Sequence, residues 1–100
     1  MDIKKSCVKV TFKAKVKNEI PSDLVERIRS EAQKVDGYIS METITENDVE
    51  VTTSYWESMK SVKEWSQNEL HLEVKSNSDK YYDWIKFEME ENQTYPSSNS

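Results

Sequence analysis

Val8-Lys9-Val10-Thr11-Phe12-Lys13-Ala14-Lys15-Val16-Lys17 alternates without a break. Its apolar members point one way and Lys9, Thr11, Lys13, Lys15 and Lys17 the other, a period of two that makes a half-buried strand. Ile20-Pro21-Ser22-Asp23 stops this strand and opens a helix, with Asp23 and Glu26 at the spacing of a capping box. Leu24, Ile28 and Ala32 then recur every four residues, with Val25 and Val35 beside them, and form one apolar stripe. Gly37, the only glycine, follows directly and is placed to end the helix at positive φ.

Tyr38 to Ile44 reads as a second strand and Glu46-Asn47-Asp48 as a turn. In the third strand Val49, Val51, Thr53 and Tyr55 alternate with Glu50, Thr52, Ser54 and Trp56, and the short spacing makes a hairpin. Ser58 can cap a helix whose Met59, Val62 and Trp65 share a face, and Glu69 to Lys75 is helical too. Ser76-Asn77-Ser78-Asp79 marks a break before a last strand from Tyr81 to Glu91, in which Ile85, Phe87 and Met89 alternate with Lys86, Glu88 and Glu90.

The order β-α-β-β-α-β predicts an α+β, ferredoxin-like protomer with an antiparallel sheet in the order 4-1-3-2 and both helices on one face. The first strand's lysines are then expected beside Glu50 on one side and Glu88 or Glu90 on the other. Such exposed cross-strand pairs contribute about 0.2–1 kcal/mol each. Residues 1–91 read as a single domain and 92–100 as a loose polar tail. The Asn92-Gln93-Thr94 match to a glycosylation acceptor reads as chance without a secretory signal.

Composition narrows the function classes. The chain has 100 residues, one cysteine and a net charge of −5. Residues 1–17 hold six lysines and one aspartate, so the remainder carries −10. An acidic chain is poorly suited to neutralising phosphates, so no nucleic-acid partner is expected. No apolar run is long enough for a membrane span, and Met1-Asp2-Ile3-Lys4-Lys5 lacks a signal-like segment, so a cytoplasmic setting is expected. One histidine and scattered carboxylates make no metal site, and one glycine makes no phosphate-cradling loop. Neither a metal nor a cofactor is therefore expected. Cys7 opens a strand without an adjacent base and reads as a small apolar residue.

The chemistry-bearing segment runs from Ser54-Tyr55-Trp56-Glu57-Ser58 through Val62 and Trp65 to His71, which puts three large rings and the only imidazole within eighteen residues. Together with Val51-Thr52-Thr53, Glu69-Leu70, Asp36-Gly37-Tyr38-Ile39 and Tyr81-Tyr82-Asp83-Trp84, it resembles the antibiotic biosynthesis monooxygenase family of dimeric α/β barrels. The resemblance spans roughly residues 8–90. It implies a homodimer in which two four-stranded sheets face each other beneath outer helices. Some members of that family oxidise aromatic substrates with molecular oxygen and neither metal nor flavin; others bind and degrade haem. The haem branch uses an asparagine on its first strand and a more distant histidine, whereas here the first strand offers lysines and threonine and His71 lies six residues after Trp65.

Each candidate residue has two readings. Trp65 is core packing, or a pocket wall that stacks on a flat substrate. Trp56, of opposite parity to Val51 and Tyr55, belongs at an interface, a strand end or the pocket. His71 is structural, or a base that takes a phenolic proton. Tyr82 and Trp84 pack on helices or a partner subunit, or line the cavity. The leading expectation is a cofactor-independent monooxygenase acting on a small aromatic or quinol-type molecule, with His71 as base and Trp65, with Tyr82 or Trp84, positioning the ring. The rival is a non-catalytic small-molecule-binding or structural dimeric module, and haem binding is a third option.

Overall fold

The computed structural model describes residues 6–94. In chain order these form β1 (Ser6–Val16), α1 (Ser22–Gln33), β2 (Tyr38–Glu46), β3 (Val49–Trp56), α2 (Met59–Ser66), α3 (Glu69–Ser76), α4 (Ser78–Tyr81) and β4 (Tyr82–Thr94). The strands make one antiparallel sheet in the order β2-β3-β1-β4, which is the expected 4-1-3-2. β1 therefore lies between two neighbours, and its alternation is the record of one covered and one uncovered face.

The local signals act as their chemistry requires, with two corrections. Ser58 caps α2 by accepting from the Ser61 amide at 3.4 Å. Asn47 and Asp48, with φ of 53° and 63°, join Glu46 to Val49 in a two-residue turn of the type that twisted hairpins favour. The Asp23–Glu26 capping box does not form. α1 starts at Ser22, two residues earlier than an Asp23 cap would set, with the Leu24 and Val25 amides both bonded to the Pro21 carbonyl at 3.1 Å. Asp23 is already inside the first turn, where its charge meets the positive helix end. Gly37 has the expected positive φ, 97°, but it lies beyond Val35 and Asp36 and turns the chain into β2 rather than capping α1. At the far end, the expected break contains the single helical turn α4, and β4 continues past Glu91 until Thr94 pairs with Ser6. Residues 95–100 of the expected tail lie outside the described residues.

The larger correction concerns β3. Register places Trp56 opposite Val8, Ser54 opposite Val10, Thr52 opposite Phe12 and Glu50 opposite Ala14. Those β3 residues share the face on which Ala32 of α1 and Trp65 of α2 pack. Glu50 is thus under the helix side, away from the β1 lysines. On the uncovered face Lys9 opposes Tyr55 and Glu90, Thr11 opposes Thr53 and Glu88, and Lys13 opposes Val51 and Lys86. Ile44 and Trp84 also stand on that face, 59% and 41% exposed. Alternation separates the two faces of a strand but does not say which one is covered. Burial of the large Trp56 ring decides it here. Among the described residues, no helix is long and apolar enough to cross a membrane, and no three or more His, Cys, Asp or Glu side chains are grouped to hold a metal.

Candidate functional site

Three ring systems from three consecutive elements meet beneath the helices. Trp56 ends β3 and is fully buried; its indole N–H donates to Ser54 Oγ at 2.9 Å. Tyr38 meets it edge-on at 5.5 Å and 82°. Trp65, near the end of α2, lies roughly parallel to Trp56 with ring centroids 6.1 Å apart and an interplanar angle of 23°. His71, in the first turn of α3, stacks on Trp65 at 4.6 Å and 12°. Asn68 sets that last position, since its side-chain oxygen accepts from the Leu70 and His71 amides at 2.9 and 3.1 Å and so fixes where α3 begins.

The imidazole has a defined tautomer. Its Nδ1 lies 3.1 Å from the Trp65 carbonyl oxygen. A carbonyl can only accept, so Nδ1 carries the proton and Nε2 keeps its lone pair. Burial holds the His71 pKa below the ordinary histidine value, against the opposing effect of the Trp65 carbonyl, and Lys75 adds to the lowering. The ring is therefore neutral at physiological pH and Nε2 is a free base, as proton abstraction requires.

The same burial gives a pH dependence. The native state binds its His71 proton less readily than the unfolded chain does. The stability contributed by the neutral ring is thus complete above about pH 6.5 and is lost as pH falls towards the depressed folded value. Urea denaturation at a series of pH values is expected to show this acid-side loss, and His71→Gln to flatten it. An unchanged slope in the variant would assign the dependence to other groups.

Tyr82 and Trp84 do not join this stack. Tyr82 shares the helix-side face but sits at its other end, donating to both Glu50 carboxylate oxygens at 3.3 Å and meeting Phe12 edge-on at 5.6 Å. Trp84 opposes Lys15 on the uncovered face, with Lys86 Nζ 5.7 Å from its ring centroid. Among the described residues, surface grooves lie elsewhere. One of about 460 Å³ between α1 and α3 is lined by Arg27, Ser30, Glu31, Lys34, Glu69, Leu70 and Glu73, and one of about 190 Å³ lies beside Cys7, Ser58 and Met59. Trp56, Trp65 and His71 line neither.

Sequence reasoning passed over Asn68, although an asparagine directly before Glu69-Leu70 is an N-cap signal. It also passed over Ser54 as the partner of the Trp56 indole, a role that the i, i+2 spacing on one strand face permits.

No protein-family model matches the chain, and no curated protein matches it in sequence. Solved structures do match. A conserved Methanosarcina mazei protein superposes with a TM-score of 0.75 at 15% identity, covering 89% of this chain and 95% of its own. A Bacteroides thetaiotaomicron protein of unknown function, described as a possible oxidoreductase, gives 0.70 at 14% identity, over 87% and 98%. A Nitrosomonas europaea protein provisionally named an antibiotic biosynthesis monooxygenase gives 0.73 at 12% identity, over 98% of this chain and 99% of that one. At such identities the likeness is one of architecture: the chain has the α+β ferredoxin-like fold found in proteins named for that monooxygenase activity.

Proposed function

We propose that the protein oxidises a small phenolic or quinol-type molecule with molecular oxygen, using neither metal nor flavin, and that His71 is its base. The observation that supports this reading is the neutral imidazole held flat on Trp65 with its Nδ1 tied to a backbone carbonyl. In the reaction, Nε2 takes the phenolic proton, and the electron-rich ring carbon of the phenolate bonds to one oxygen atom of O₂. The ring carbon then loses its hydrogen as the O–O bond breaks. One oxygen atom stays as a new quinone carbonyl and the other leaves in water. The substrate supplies every electron, so the balance is phenol plus O₂ giving quinone plus water. Trp65, stacked on both Trp56 and His71, acts as a positioning residue for the imidazole. A homodimer formed through the uncovered sheet face is part of this reading, supported by the exposed Ile44 and Trp84 on that face.

A second reading has its own support. Trp56 is fully buried and Trp65 is 8% exposed, so the stack is a filled core, as a non-catalytic binding or structural dimeric module would have. Oxygen uptake and quinone formation over a panel of quinols, measured with chelator-treated protein, separate the two. Turnover by the native protein that falls about a hundredfold in His71→Ala is the expected result. Equal rates in both proteins remove His71 from the mechanism, and no turnover by either favours the module.

A further inference from the structure

We infer that the Glu50 end of the helix-side sheet face is a second binding site, one that takes a small organic amine. The register brings Glu50, Phe12, Phe87 and Tyr82 onto one face across β3, β1 and β4. A carboxylate there is unexpected, because this is the side of the sheet that the helices cover. Its partners within the fold are weak. Tyr82 donates to the two oxygens at 3.3 Å each and Thr52 to one at 3.4 Å, long for bonds to a charged oxygen.

Among the described residues Glu50 makes no ion pair; the one salt bridge among them joins Lys34 to Glu31. The β1 lysines cannot serve, since they project from the opposite face. Burial raises the Glu50 pKa, and the hydroxyl bonds offset this only in part. The carboxylate thus pays a desolvation penalty that no cation of the described chain returns.

Tyr82, which bonds to Glu50, begins a row of aromatic rings on this face. Phe12 meets Tyr82 at 5.6 Å and Phe87 at 5.1 Å, both edge-on. Phe87 is 50% exposed and Met89, farther along the same strand face, 57%, so the β4 side of this row is open to a ligand. A carboxylate bonded to a tyrosine hydroxyl, at the end of a row of aromatic rings, offers an ammonium group a charge partner and its apolar body a surface to lie on. Glu50 is six residues from Trp56 along β3, about 20 Å at strand rise. The site is therefore distinct from the His71 stack and stands whether or not that stack is catalytic.

The test uses the full chain and three probes with one aromatic body, namely phenethylamine, phenethyl alcohol and phenylacetate, followed by amide chemical shifts. Saturable shifts at Glu50, Tyr82 and Phe87 are expected with the amine. The alcohol is expected to bind on the order of tenfold more weakly and the acid more weakly still. Glu50→Gln, which keeps the shape and an acceptor for Tyr82, should reduce amine binding to the level of the alcohol. Phe87→Ala should weaken it as well, while His71→Ala should leave it unchanged. The inference is overturned by equal binding of amine and alcohol, by unaltered amine binding in Glu50→Gln, by the absence of any saturable shift, or by loss of binding in His71→Ala.

Discussion

Trp56→Ala is expected to lower the stability of the fold by about 3–5 kcal/mol. Trp56 is fully buried, and it touches structure in three directions. Tyr38 meets its edge, Trp65 lies parallel to it, and the β1 side of the sheet contributes Val10 to the same core. Removing the ring leaves a cavity in a small core and also strands Ser54 Oγ, which is 5% exposed and accepts from the indole. At about 4–8 °C per kcal/mol for a domain of this size, the melting temperature should fall by roughly 12–40 °C. Urea and thermal unfolding followed by circular dichroism measure the effect. Trp56→Phe keeps most of the contact area and loses the indole bond, so it should cost much less. A loss below about 1.5 kcal/mol for the alanine variant would mean that the column is not the centre of the core.

The second large effect is expected at Gly37, where two penalties coincide. Its φ of 97° lies in a region that residues with a Cβ resist, at about 1–3 kcal/mol. A Cβ built there also runs into Ser61 Oγ. Ser61 has little room to yield, being 5% exposed and donating to the Asp36 carbonyl at 2.7 Å. Pushing it aside breaks that bond, which adds about 1–3 kcal/mol. Gly37→Ala should therefore destabilise by about 2–6 kcal/mol. Repeating the change on a Ser61→Gly background separates the causes, because it removes the collision and leaves the backbone strain. The double-mutant cycle should show strong coupling between the two positions. Additive effects would contradict the steric part, and a fully stable Gly37→Ala would contradict both.

Much of the architecture was legible because its signals are local. The β1 alternation, the Asn47-Asp48 turn and the Ser58 cap each depend on a few adjacent residues, and together they leave a single plausible strand order. What could not be read depends on partners far away in sequence. The apolar Val49, Val51 and Tyr55 looked like the covered side of β3, yet Trp56 took that side because its neighbours across the sheet and in α2 could enclose it. With apolar residues on both faces, periodicity does not choose between them. α4 escaped notice because one turn has no periodicity to detect. For the candidate site, the spacing of Trp65 and His71 was visible, but their stacking depends on Asn68 fixing the start of α3. Trp84 looked like a neighbour of Tyr82 in function as in sequence. Adjacent residues on a strand point to opposite faces, and the bulge at the start of β4 leaves these two, which are not adjacent, on opposite faces as well.

The position of β1 carries a consequence for the order in which the molecule can be assembled. Of the four strands of the sheet, the first in sequence is an interior one, and it needs both β3 and β4 beside it. Until the last strand arrives, one whole edge of β1 offers unpaired amides and carbonyls to any extended neighbour. Completion of the sheet waits on contacts between distant parts of the chain, a non-local step that slows folding relative to a helical bundle of the same size.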